Sequence, residues 1–223
     1  MRALLYALIF YPGSLVIVVL APLVALFGRK ALIPHVLAWG RLHDWCTRVL
    51  LGVRYRIEGE IPSGPMLVAF KHESMYEAVQ PLVFLDRPAP VLKRELMNVP
   101  IWGWACHRYG GIVVDREAGA KALRHMLKEA KEIIAEGRPI FIFPEGTRVP
   151  HGEAPDLKAG VAGLYRLLSL PVLPIACDSG RFIPKKGPKR PGTVTFKVGE
   201  LIPPGLPREA FEARLHTAIN ALN

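Results

Sequence analysis

The stretch "FKHESMYEAVQ", Phe70 to Gln80, sets His72 five positions ahead of Glu77. A neutral imidazole can take a proton from an attacking hydroxyl. A carboxylate on its other nitrogen then fixes the tautomer and stabilises the imidazolium that forms. In a regular helix, which turns about 100° per residue, the two side chains would stand about 140° apart and would not meet. They meet if His72 lies before the first turn and folds back over it, with Ser74 as the helix start. Ser74 and Glu77 also make the S-x-x-E pattern of a capping box, in which the glutamate serves only the helix end. Glu77 therefore has two readings, partner of a base or cap.

Several other chemistries drop out. "HESMY" opens like a zinc protease helix, but Tyr76 stands where the second histidine would be needed. There is no G-x-S-x-G, so Ser74 lacks a nucleophile elbow. Neither G-x-x-x-x-G-K-[ST] nor G-x-G-x-x-G occurs, which leaves those two kinds of nucleotide chemistry unsupported. Cys46, Cys106 and Cys177 are far apart and show no C-x-x-C spacing, which argues against a disulfide framework and a zinc site. A reducing, cytoplasm-facing compartment and no metal or bound cofactor are the expectations.

The second stretch with chemical content is "FPEGTR", Phe143 to Arg148. It follows an apolar run, so Pro144 ends a predicted strand. Glu145, Gly146, Thr147 and Arg148 then occupy a turn at the strand's C-terminal edge, where α/β sheets place ligands. A guanidinium there suits bidentate phosphate binding. In the plainer reading, Glu145 and Arg148 hold the turn together by pairing with each other.

The elements that would position these residues are legible from Val53 onward. "VRYRIEGE", "PMLVAF", "PAPVLK", "GGIVVDR", "RPIFIF", "VLPIAC" and "TVTFKVGE" read as strands. Helices lie between them, most clearly "EAGAKALRHMLKEAKEIIAEG". Its Leu123, Met126, Leu127, Ala130, Ile133 and Ile134 form one stripe, and Gly137 is the stop. The alternation predicts an α/β fold, a mixed sheet flanked by helices. "SGRFIPKKGPKRPG" reads as an exposed basic loop.

Before Val53 the pattern differs. No charged residue occurs from Ala3 to Gly28, a run long enough to cross a hydrocarbon core of about 30 Å. Pro12-Gly13 and Pro22 interrupt it, which admits a pair of short helices dipping into one leaflet. "HVLAWGRLHDWCTRVLLG" follows as an amphipathic helix, with Trp39, Leu42, Trp45, Cys46, Val49 and Leu50 apolar and Arg41, Asp44 and Arg48 on another face. Residues 1–52 are expected to be membrane-attachment helices and residues 53–223 an α/β domain. If the run spans, Arg29 and Lys30 outnumber Arg2 and put the rest of the chain in the cytoplasm at the inner membrane.

Four blocks in order then carry a resemblance: "KHESMYE", "GGIVVDR" ending in Arg116, "FPEGTR", and the proline-bearing "LPVLPIA", Leu170 to Ala176. "LKAG", Leu157 to Gly160, follows the third block. From about Val53 to Glu200 the chain resembles the glycerolipid acyltransferases, specifically the bacterial 1-acyl-sn-glycerol-3-phosphate (lysophosphatidic acid) acyltransferases. The resemblance implies transfer of a fatty acyl group from acyl-CoA or acyl-acyl carrier protein to the 2-hydroxyl of lysophosphatidic acid, giving phosphatidic acid. It implies His72 as general base, Glu77 as its partner, and Arg116 and Arg148 as phosphate binders. Lys93, in "VLKREL", is a further phosphate candidate. Two positions depart from the family pattern: it usually has Asp where this chain has Glu77, and commonly Gln or Arg where it has Glu73.

Charge fits these partners. Among 223 residues, 29 Lys and Arg against 19 Asp and Glu give a net charge of +10, and 51% of residues are hydrophobic. An anionic substrate, an acidic carrier and membrane phospholipids all suit such a chain. Nucleic acid is not expected, because no aromatic residues are interleaved with a basic patch. "NVPIWGWACHRYGG", Asn98 to Gly111, could line an acyl tunnel, dip into lipid or form a core helix. Two alternatives stay open: another lysolipid acceptor such as lyso-ornithine lipid, and a non-catalytic membrane adaptor.

Overall fold

The structure, a computed structural model, describes residues 1–114 and 119–223. Helices α1 (Arg2–Ala25) and α2 (Arg29–Cys46) lead through a π-helical turn, Thr47–Leu51, into the sheet. Its strands are β1 (Val53–Glu58), β2 (Leu67–Phe70), β3 (Ala89–Lys93), β4 (Ile112–Val114), β5 (Ile140–Ile142), β6 (Val172–Cys177) and β7 (Gly192–Val198). Among the described residues these seven form one sheet in the order β1-β7-β6-β2-β5-β3-β4. Its pairings are parallel except β6 with β7, so the sheet is mixed, as the sequence predicts.

The strand texts explain the order. Every residue of β2 and β6 is buried, as befits central strands covered on both faces. Pro174 is tolerated inside β6 because the ladder to β7 begins only at Ile175, and its carbonyl accepts the Gly199 amide at 2.9 Å. One face of the sheet packs Phe70, Phe141, Ile175 and Phe196 with Tyr76 and Leu85. The other packs Leu67, Ile140 and Val172 against α6 (Gly119–Ala135), α7 (Gly160–Leu168) and α8 (Arg208–Ile219). In α6 the predicted stripe buries Met126, Ala130 and Ile133, and Gly137 takes the left-handed conformation, φ +71°, just past the helix end.

Helices α1 and α2 lie against the domain. Tyr6, Phe10, Cys46 and Leu51 share the first core with the sheet. Ala21 packs with Leu32, with Val79 of α3 (Tyr76–Val79) and Leu82 of α4 (Pro81–Phe84), and with Ala105 of α5 (Trp102–Tyr109). Glycines permit the close crossings. A Cβ on Gly13 would come within 2.9 Å of Leu42, and one on Gly40 within 2.8 Å of Leu82. Trp39 Nε1 donates to Ser14 Oγ at 3.0 Å, and His35 Nε2 lies 2.7 Å from the Ile17 carbonyl, tying the hairpin together. The other side of α1 stays bare: Leu4, Leu8, Leu15, Val16, Val19 and Leu23 are exposed. The amphipathic stripe expected over 35–52 runs through α2 into the π-helical turn and divides, with Cys46 buried but Trp45 and Val49 exposed.

Candidate active site

Strand β2 ends at Phe70, and the chain then turns sharply through residues 71–75 before α3 begins at Tyr76. His72 thus precedes the helix and folds back over it. Its Nδ1 lies 2.9 Å from Glu77 Oε1. The same Oε1 accepts the backbone amides of Glu73, at 2.7 Å, and of Ser74, while Oε2 accepts the Ser179 hydroxyl at 2.6 Å. Glu77 is wholly buried and serves as acceptor throughout, for three donors on Oε1 and one on Oε2. An acceptor so placed requires His72 Nδ1 to carry its hydrogen, which leaves Nε2 as the ring nitrogen able to take a proton. The ring stacks on Phe143, with centroids 4.0 Å apart and planes at 22°.

Contacts that each reading of Glu77 calls on therefore meet in one side chain. Its carboxylate reaches back to the Ser74 amide as a capping box requires, and the same oxygen meets His72. The box itself does not close: the N-cap of α3 is Met75 rather than the expected Ser74, and Ser74 Oγ accepts the Tyr76 amide at 2.9 Å rather than that of Glu77.

Glu145, expected beside a ligand, is instead enclosed. Its Oε1 lies 2.8 Å from Lys71 Nζ and its Oε2 accepts the His72 amide at 2.8 Å, both side chains of the ion pair being fully buried. Lys71 also donates to the Glu153 carbonyl and to Asn220 Oδ1. Glu145 thus holds the backbone of His72, and the expected pairing with Arg148 is replaced by one with Lys71. The physical reason is the turn itself: Gly146 takes φ +67°, and the Gly146 amide bonds back to the Phe143 carbonyl at 2.9 Å, folding Glu145 under β2. Thr147 is exposed and Arg148 half-buried. Lys93, exposed at the end of β3, stands at the rim of the cavity described next. Arg116 lies outside the described residues.

Beside His72 opens a cavity of about 730 Å³, within the range of small-molecule sites. Its walls are apolar: Ile17, Val18 and Ala21 of α1, Val36 and Trp39 of α2, Val79, Leu82, and Trp102, Ala105 and Cys106 of α5. The segment from Asn98 to Gly111 thus lines the cavity through α5, while Trp104 faces outward, 43% exposed. His35, His72, Lys93 and Lys158 are the basic members of the lining, which Gly146 joins and Thr147 and Arg148 do not. The arrangement can hold a long apolar chain beside the His72 ring.

Residues that sequence reasoning passed over complete this geometry. Ser179, Gly180 and His151 touch acids of the dyad turn, and Lys71, at its start, holds Glu145. The segment expected as a plain basic loop begins with a 3-10 turn, Ser179–Arg181, that delivers Ser179 to Glu77. Only Lys71, inside the first block and flanked by a buried strand, carried any local signal.

The Acyltransferase family model matches residues 52–178. The chain is 39% identical over 164 residues to a 1-acyl-sn-glycerol-3-phosphate acyltransferase of Pseudomonas aeruginosa, a match that spans 72% of this chain and 64% of that protein. It is 29% identical over 202 residues to 1-acyl-sn-glycerol-3-phosphate acyltransferase alpha of mouse, spanning 86% of this chain and 70% of that one. The crystal structure of the 1-acyl-sn-glycerophosphate (LPA) acyltransferase from Thermotoga maritima superposes with a TM-score of 0.78 at 24% identity, over 99% of this chain and 95% of that one, and shares its fold. By motif order, fold and family match together, this chain belongs to the Acyltransferase family.

Proposed function

We propose that the chain transfers a fatty acyl group from a thioester donor, acyl-CoA or acyl-acyl carrier protein, to the sn-2 hydroxyl of lysophosphatidic acid, giving phosphatidic acid. The observation that carries this reading is His72, held by Glu77 at 2.9 Å, in the lining of an apolar cavity and with no hydrogen bond to Nε2 among the described residues. The acyl chain lies in the cavity and the thioester at its polar end. Nε2 takes the hydroxyl proton as the oxygen attacks the carbonyl carbon. The tetrahedral intermediate collapses, the C–S bond breaks, and the imidazolium returns its proton to the leaving thiolate. Glu77 stabilises the imidazolium meanwhile. Arg148, Lys93 and Arg116, with the turn at Gly146 and Thr147, bind the acceptor's phosphate.

Residues 1–52 attach the enzyme to the cytoplasmic face of an inner membrane, and residues 53–223 carry the chemistry. Helix α1 is long and apolar enough to cross a bilayer. It packs on the domain from Tyr6 to Ala21, which supports its lying in one leaflet with its bare side toward lipid. Acyl chains then pass between the bilayer and the cavity beside α1.

Incubating the full chain with lysophosphatidic acid and either donor tests the reading. Phosphatidic acid should form with the wild type and not with His72→Ala. Turnover of a lyso-ornithine lipid with none of lysophosphatidic acid would overturn the acceptor assignment, and turnover of neither would overturn the activity.

A further inference from the structure

The dyad turn holds a second acid, Glu73, to which the proposed reaction gives no task. Its side chain is fully buried. Oε1 lies 3.0 Å from His151 Nδ1, and Oε2 accepts the Gly180 amide at 2.7 Å. Gly180 directly follows Ser179, whose hydroxyl holds Glu77, so two acids of one turn grip consecutive residues of the 179–181 turn. A Cβ on Gly180 would stand 3.0 Å from Glu73 Oε2 and 3.3 Å from His151 Cβ, so the three pack without spare room. Burial pushes the Glu73 carboxyl up, and the Gly180 amide and His151 pull it back toward the ionised form.

His151 is the outer member, 26% exposed, and it belongs to the loop that begins with "FPEGTR". Two residues before it, the Val149 amide donates to the His72 carbonyl at 2.7 Å. Arg148 is the next residue back. Glu145 and Lys71 fix the start of this loop, and His151 reaches the dyad turn from its far side. Between these two anchors lie Gly146, Thr147 and Arg148.

We propose that Glu73 and His151 are a positioning pair that clamps the loop 144–153 onto the dyad turn and so sets where Arg148 meets the acceptor's phosphate. The proposal rests on the acceptor reading above. Neither residue touches the reacting atoms, and the pair acts through Arg148.

The test compares wild type, His151→Ala and His151→Asn with lysophosphatidic acid and acyl-CoA varied separately, alongside amide hydrogen exchange of Val149. A hydrogen bond to a charged group is worth about 1.5–3 kcal/mol, which converts to an acceptor KM raised about tenfold or more in His151→Ala. Donor KM and kcat should stay within about twofold of wild type, because the dyad is intact. Asparagine presents an amide N–H near the position of Nδ1–H, so His151→Asn should recover most of the loss. Val149 should exchange faster in the alanine variant and near the wild-type rate in the asparagine variant. An unchanged acceptor KM in His151→Ala overturns the proposal. So does equal loss in both variants, or a joint fall in kcat and rise in both KM values, which marks general loosening. If the wild type does not accept lysophosphatidic acid, the acceptor reading fails by itself, and Val149 exchange still judges the clamp: unaltered exchange in His151→Ala overturns it.

Discussion

The two sides of His72 are built on opposite principles. Toward Glu77 the neighbours are polar, each held by hydrogen bonds from elements distant in the chain: Lys71 to Glu145, Glu77 to Ser179, Glu73 to Gly180. Toward the cavity they are mostly apolar and held mainly by packing, with α1, α2 and α5 forming the wall. Hydrogen bonds are directional and costly to leave unmade, so the polar side fixes one ring orientation. Packing against a bare wall tolerates chains of different shape, so the apolar side sets what fits without touching the proton. Damage to the first side should therefore appear in kcat, stability or acceptor KM, and damage to the second in chain preference.

The sharpest break comes at the dyad. His72→Ala should lower kcat by about 10² to 10⁴, the usual contribution of a positioned base. Glu77→Gln keeps one acceptor oxygen for the amides of Glu73 and Ser74 but turns an N–H₂ toward a donor and removes the charge that stabilises imidazolium. A kcat loss of at least roughly 10² is expected in folded protein. Near wild-type turnover of Glu77→Gln would reduce Glu77 to a cap.

Next in size is the scaffold of the polar side. Lys71 and Glu145 are an ion pair with both side chains at 0% exposure, and removing one partner strands the other charge in the core. Lys71→Met should cost about 3–5 kcal/mol in urea unfolding, with Glu145→Gln similar. A change under about 1 kcal/mol would mean that the site relaxes around the orphaned charge. The double change to an apolar pair should cost less than either single one.

How much of this was legible depended on separation along the chain. The strands could be read because β2, β6 and the others are short apolar runs set off by turn residues. The helix α6 could be read because its stripe repeats locally. His72 and Glu77 are five positions apart, so one turn decides whether they meet. Ser179 is 102 positions from Glu77, and His151 is 78 from Glu73. Such contacts arise only after the sheet has brought loop ends together, and no spacing rule anticipates them. Glu145 shows the converse: its place in the turn was legible, but its direction was set by Lys71, just past the end of the neighbouring strand β2. The phosphate-binding role expected of Arg116 falls in a stretch outside the described residues.

On the apolar side, the helices covering the cavity enclose His43. Rings of Tyr6, Phe10 and Tyr76 surround it with centroids 5.3–6.4 Å away. Burial pushes its pKa down to about 4, with Gln80 pulling the other way. A histidine whose folded pKa lies below the unfolded value binds more protons when unfolded, so stability rises with pH in that window. The contribution is complete above about pH 6.5 and is lost as pH falls toward 4, about 3 kcal/mol in all. Comparing urea midpoints at pH 7 and pH 4.5 should show this loss in wild type and a smaller one in His43→Phe, which keeps the ring cluster. Equal acid sensitivity in both proteins would locate the titration elsewhere.

The smallest effect should separate the two sides most cleanly. Ala21 is 2% exposed and forms part of the cavity wall, where α1 faces α5. A phenylalanine there takes volume from the cavity without reaching the hydrogen bonds of the dyad turn. A methylene gained or lost in an apolar pocket is worth about 1–3 kcal/mol, so exclusion of the last one or two carbons should lower kcat/KM for the longest acyl donors roughly tenfold or more. Shorter donors should be turned over at near wild-type kcat, since His72, Glu77 and the anchored turn are untouched. Competition between long- and short-chain acyl-CoA in one reaction reads the ratio directly and cancels any difference in folded fraction. If Ala21→Phe slowed both chains alike, the wall would be coupled to the proton-transfer side, and packing along α1 would have to be counted among the constraints on His72.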